Sequence, residues 1–177
     1  MGTSILFVSL LNYLQRNPNA HVVLIRKQEI GYGFRLRLLQ SQNRSSPLLK
    51  QIHIKYLSSA SELNQFIVAS RLSYEYDLLA IDNWGDFFKE STAVVKMSKT
   101  LGLLKELGVP SLLLDNQLNS TALKEYDSFF RSSFSSILQI HIVSPSLYSV
   151  VSLSPYRGDD GAVSFRVAEH SIQLQSS

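Results

Sequence analysis

The chain is predicted to be an α/β protein: a mostly parallel sheet flanked by helices, with antiparallel strands added towards the carboxyl terminus. Three observations predict it. Short apolar runs such as "HVVLI", "YDLLAID" and "VPSLLLDN" have no polar side, which is how strands covered on both faces read. Between them lie segments whose apolar residues recur every three or four positions, the spacing of a helix with one buried face. The last third changes to strand-like stretches separated by turn residues, as in hairpins. Strand and helix alternating first, with hairpins last, implies a parallel α/β sheet extended by antiparallel strands.

The elements follow in order. "SILFVSLLNYLQR" sets Ile5, Val8, Leu11 and Leu14 at three-residue steps with Leu6 and Leu10 beside them, so a helix opens the chain and "NPN" breaks it. "HVVLIRK" is a buried strand, and "IGYG" turns the chain after it. "FRLRLLQSQ" fits a short helix and a strand equally, because both periods match it. After the loop "NRSSP", "LLKQIHIKYL" brings Leu49, Ile52 and Ile54 near one face and interleaves Lys50, His53 and Lys55, a strand with a wetter side. "SSASELNQFIVASRL" is a helix opened by a capping box from Ser59 to Glu62, whose hydroxyl and carboxylate satisfy unpaired first-turn amides.

"YDLLAID" is a buried strand ending on Asp82. "STAVVKMSKTLGLLKELG" aligns Val94, Met97, Leu101 and Leu104 on one helical stripe, and Gly108 followed by Pro110 stops it. "VPSLLLDN" is a further short apolar strand, and "QLNSTALKEYDSFF" reads as a loop with a helical turn. "SILQIHIVSP", "LYSVVSLSP" and "AVSFRVAEHSIQL" are the antiparallel stretches, with "PS" and "YRGDDG" between them.

A chain of 177 residues with 45% apolar content can bury one core, so a single domain over 1–177 is expected. The absence of cysteine excludes disulfides, thiolate metal sites and cysteine nucleophiles. The four histidines, His21, His53, His141 and His170, are scattered with no pair at metal-ligand spacing, so no metal site is expected. "ILFVSLL" has no basic residue before it and is much shorter than a membrane span, so an intracellular chain with no membrane segment is expected. Charge is uneven: residues 1–57 carry eight Lys or Arg and one acid, Glu29, while the remainder is acidic. A basic first third is a polyanion-binding face, a partner contact or solvated surface.

The same order of elements, with particular words at the joints, resembles the ATPase core of the RecA/RadA recombinase family over nearly the whole chain. "HVVLI" followed by "GYGFRLRLL" is similar to the family's second core strand and the stretch leading into its next helix. "LLKQIHIKYLSSASELNQFI" is similar to the next strand and helix, "YDLLAID" to the strand bearing the magnesium-binding aspartate, and "VPSLLLDNQ" to the strand before the second DNA-binding loop. The resemblance therefore implies a RecA-like core. Within it, Asp82 and Gln117 stand as remnants of a nucleotide site.

Departures from that pattern shape the functional expectation. A phosphate loop needs glycines, a lysine and a hydroxyl before the first helix. Here Met1, Gly2 and Thr3 precede "SILFVSLLNYLQ"; if that segment is the family's first helix, the first strand and the phosphate loop are expected to be missing or degenerate. Where the family places its catalytic glutamate the chain reads "IRKQE", with Gln28 or Glu29 at that point and Arg26 and Lys27 beside it. Phosphoryl transfer needs phosphate cradle, metal and water-positioning group together. Asp82 is accordingly expected to cap its loop or the following helix, with no catalytic residue, cofactor or metal in the chain.

No GxSxG or HExxH occurs, and Asp159 and Asp160 in "YRGDDG" fit an exposed turn. "FIVA", Phe66 to Ala69, falls on a predicted helix and fits core packing. Trp84, Phe87 and Phe88 fit either core burial or stacking on a partner or a base.

By resemblance, the chain is expected to be a non-catalytic recombinase paralogue like the small RecA-like subunits of the Shu complex. Those pair with another RecA-like paralogue and a SWIM-domain protein, and assist recombinase filament assembly on single-stranded DNA. The implied location is the nucleus, and the implied substrate is single-stranded or forked DNA, with the recombinase itself a further partner. The implied DNA-binding residues are Arg26, Lys27, Arg35, Arg37 and Lys124. Two other expectations share the fold: a RecA-like accessory subunit of Elongator acting in transfer-RNA modification, and an ATPase whose phosphate loop lies upstream or whose site is completed by a neighbour.

Overall fold

The computed structural model describes residues 2–27, 47–72, 76–88, 93–115, 129, 132–135, 137–144, 147–152, 162–168 and 171–175. Contacts divide the chain into two compact units, Met1–Leu118 and Asn119–Ser177, where one domain was expected from length and composition.

The first unit opens with helix α1 (Gly2–Arg16), followed by strand β1 (Val22–Lys27). A 3₁₀ turn at Pro47–Gln51 leads into β2 (Ile52–Leu57), then helix α2 (Ala60–Ser70), β3 (Leu78–Asp82) and a second 3₁₀ turn at Trp84–Phe88. Helix α3 (Ala93–Leu107) and the three-residue β4 (Ser111–Leu113) complete it. The strands form a parallel sheet in the order β2-β1-β3-β4. Leu48 to Lys50 thus belong to a 3₁₀ turn, and the strand predicted over "LLKQIHIKYL" begins only at Ile52.

Register assigns the two faces. Val22, Leu24 and Arg26 of β1 align with Leu78, Ala80 and Asp82 of β3, and with Ile52, Ile54 and Tyr56 of β2. Because side chains alternate along a strand, these residues share one face. Leu6, Phe7, Leu10, Leu11 and Leu14 of α1 pack on it, joined to Val22, Leu24, Leu78 and Ala80 in one core cluster. Burying each such side chain contributes about 1.5–3 kcal/mol, which is why the three- and four-residue spacing of "ILFVSLLNYL" holds this helix to the sheet.

The opposite face carries Val23, Ile25, Leu79 and Ile81. The β2-to-β3 and β3-to-β4 crossovers both run towards the β4 edge, so right-handed connections bring α2 and α3 to this one side. The two helices pack along each other there. Buried Thr100 of α3 holds them in polar register: its hydroxyl is 2.8 Å from Asn64 Oδ1 and 3.0 Å from the Lys96 carbonyl. Gly108, at φ 74, ends α3 in the left-handed conformation that a side chain disfavours.

Ser59 caps α2 as expected, its hydroxyl accepting from the Glu62 amide at 3.2 Å. The reciprocal contact is shifted by one residue. The Glu62 carboxylate accepts from the amide and hydroxyl of Ser58, at 2.8 and 2.7 Å. Those two bonds hold the Glu62 carboxyl below its ordinary pKa.

The second unit contains β5 (Leu138–Ser144), β6 (Leu147–Ser152), β7 (Ala162–Ala168) and β8 (Ser171–Gln175), paired in that order as an antiparallel meander. "AVSFRVAEHSIQL" supplies two of these strands. The expected antiparallel strands are present, but as a sheet of their own rather than a continuation of the parallel one. β5 and β6, and likewise β7 and β8, are separated by only two residues, so local pairing builds this sheet without needing an edge of the first. No helix among the described residues is long and apolar enough to cross a membrane.

Candidate functional site

The order β2-β1-β3-β4 reverses direction between β1 and β3. In open parallel sheets the crevice outside the carboxyl ends of strands at such a switch point is where ligands bind. Here that position holds Arg26 and Lys27 at the end of β1 and Asp82 at the end of β3. Helix α1 joins β1 through the connection 17–21 and packs back along the sheet, so its first residues, Gly2 and Thr3, come to the same end.

Arg26 and Asp82 are direct neighbours in the parallel ladder. Arg26 Nε donates to Asp82 Oδ2 at 2.8 Å, with side-chain exposures of 18% and 0%. A carboxylate this deeply buried needs a charged partner, and the guanidinium supplies one. Lys27, on the other face of β1, donates from Nζ to the Asp86 carbonyl at 2.5 Å. Both cations at the end of β1 are therefore turned into the fold.

The segment after Asp82 is closed over this end. Asn83 takes φ 51, which lets the chain leave β3 sharply. The Trp84 amide donates to Leu114 O at 2.9 Å and the Asp86 amide to Asn83 O at 2.9 Å. Trp84, Phe87 and Phe88 are all buried, with Trp84 edge-on to Phe88 at 4.7 Å between centroids. Of the two uses these aromatics suggested in sequence, the core has them. Gly85 leaves room of another kind: a Cβ there would overlap the end of the Asp115 carboxylate, which follows β4, and that side chain would have to shift. Asp82, Asp86 and Asp115 are thus carried to one end of the sheet by two neighbouring strands.

Arg26 meets Asp82, Lys27 reaches the Asp86 carbonyl from the other face of β1, and Gly2 and Thr3 share their end of the sheet. Arg35, Arg37, Lys124 and Gln117, together with Gln28, Glu29, Asp159 and Asp160, lie outside the described residues. Sequence reasoning placed Arg26 in a DNA-binding patch and turned Asp82 towards its own loop, and the tie between them was missed. Gly85 and Asp115 were also missed. The only local sign was a glycine set between Trp84 and Asp86, where helix or strand preference gives no reason for one.

A phosphate-bound magnesium ion does not fit the described residues at this end of the sheet. The carboxylate that would hold it is already paired with a guanidinium, and among the described residues no group of three His, Asp or Glu side chains is placed to hold a metal. Fold and site together define an α/β protein with a parallel sheet that carries its own buried ion pair at the switch point. No family model matches the chain, and no curated protein matches it in sequence.

Proposed function

We propose that the chain is a non-catalytic RecA-like subunit of a heteromeric complex that promotes homologous recombination and DNA repair in the nucleus. It would assist recombinase filament assembly on single-stranded DNA, alongside another RecA-like paralogue and a SWIM-domain protein. The observation that carries the non-catalytic part is the Arg26–Asp82 pair: the position from which a nucleotide-dependent core would offer its metal ligand carries a buried, neutralised carboxylate. The RecA-like part rests on the motif order in the sequence, with which the all-parallel order β2-β1-β3-β4 agrees.

Arg26 and Lys27 are held by Asp82 and Asp86, so polyanion contact falls to Arg35, Arg37 and Lys124. Phosphate contacts of this kind release counterions, and affinity then falls with salt. The deciding experiment is affinity purification of the chain from its own cells at native level, with mass spectrometry of what accompanies it. Recovery of a recombinase paralogue or SWIM-domain protein supports the proposal; recovery of Elongator subunits instead overturns it and moves the fold to transfer-RNA modification. In the assembled complex, Arg35→Glu with Arg37→Glu is expected to weaken single-stranded DNA binding and flatten its salt dependence. Unchanged binding across a salt titration removes those residues from the interface.

A further inference from the structure

Away from the carboxyl end of the sheet, the amino end carries a pair of imidazoles that the function above does not use. His21 stands immediately before β1 and His53 lies in β2, aligned with Val23 and so two positions beyond direct alignment with His21. Alternation along the strands puts both on the face opposite α1. Their ring centroids are 5.9 Å apart with planes 31° from parallel. Both side chains are exposed, so neither ring owes its position to core packing.

Three features make the pair more than two surface histidines. With metal–nitrogen bonds of about 2.0–2.1 Å, an ion shared by two imidazoles sets their centroids roughly 5–6 Å apart, which the observed separation matches. The backbone beneath them is held in place. His21 N donates to Asp77 Oδ2 at 2.8 Å and its carbonyl accepts from Asp77 N at 2.8 Å, while His53 lies within the parallel ladder. The Asp77 carboxylate also brings a negative charge beside His21, which favours a cation there. Nearby, Gln51 Oε1 is buried without a hydrogen-bond partner, although its amide nitrogen donates to Pro18 O.

We propose that His21 and His53 form a binding site for one first-row divalent transition ion, of the class that imidazole nitrogen prefers. Among the described residues no third His, Asp or Glu completes a cage, so the remaining positions go to solvent. The site is independent of the role proposed above, since it lies at the other end of the sheet.

The test is a calorimetric titration of the full chain, metal-free and without an affinity tag, with Zn²⁺ alone. One ion per chain is expected. Because removing an outer hydrogen-bond partner of a ligand already costs about 10–100-fold in affinity, losing a ligand outright should cost at least that. His21→Asn and His53→Asn are each expected to show it, and His141→Asn to leave binding unchanged. A second readout needs no variant: paramagnetic Ni²⁺ should broaden the ring protons of His21 and His53 before those of His141 and His170. No binding by the unchanged chain, retained binding in either His21→Asn or His53→Asn, or broadening that begins at other histidines overturns the site.

Discussion

Arg26 and Asp82 face each other across neighbouring parallel strands, Nε 2.8 Å from Oδ2, with the carboxylate wholly out of water. Removing one partner of such a pair leaves an uncompensated buried charge, at a cost of about 3–5 kcal/mol, whereas replacing both with apolar side chains is often neutral or stabilising. Arg26→Met is therefore expected to lower the urea midpoint sharply. Arg26→Met combined with Asp82→Leu should recover most of the loss. Equal instability of the single and double variants would show that the guanidinium acts on something other than Asp82.

Gly85 and Asp115 form a second coupled pair. A methyl group at Gly85 meets the end of the Asp115 carboxylate, a side chain that can turn away, so Gly85→Ala is expected to displace that carboxylate at a cost of about 1 kcal/mol or less. Trimming the obstacle, as in Gly85→Ala with Asp115→Ala, should relieve it. Additive losses in a double-mutant cycle measured by denaturant unfolding would count against the contact.

At the start of α2, Ser59→Ala is expected to destabilise the protein by about 1 kcal/mol through loss of the cap. The pH dependence lies with Glu62. Its folded-state pKa is lowered by the Ser58 bonds, so its contribution is fully present above the unfolded value and is lost as pH falls through the folded value. In Ser58→Ala the hydroxyl bond disappears while the amide bond remains, and the Glu62 carboxyl should titrate closer to its ordinary value. Carbon-detected NMR titration of that carboxyl checks it, and an unmoved midpoint would assign the shift to the amide alone.

Much of the first unit was legible residue by residue. The apolar spacing of α1, α2 and α3 and the unbroken runs of β1 and β3 are local patterns, and each element forms where its pattern lies. Caps were legible for the same reason: Ser59 and Gly108 act within a few residues of themselves. Local reading went astray where a segment's role depends on its neighbours. "VPSLLLDN" looks like a fully buried strand, but only Ser111–Leu113 pair and they are largely exposed, because β4 has β3 on one side and ends the described sheet.

The amino-acid order by itself thus determined which segments are helix or strand, since backbone preference and apolar period act over a few residues. It also determined that an aspartate ends an apolar strand. What that aspartate does was decided only by strand order, which sets β1 against β3 and brings Arg26 to Asp82 over a separation of 56 residues. The same holds for His21 and His53, scattered in sequence and 5.9 Å apart in the fold. Charge and metal chemistry depend on distance in space, and a chain that crosses over to form a parallel sheet leaves no mark of that distance along its length.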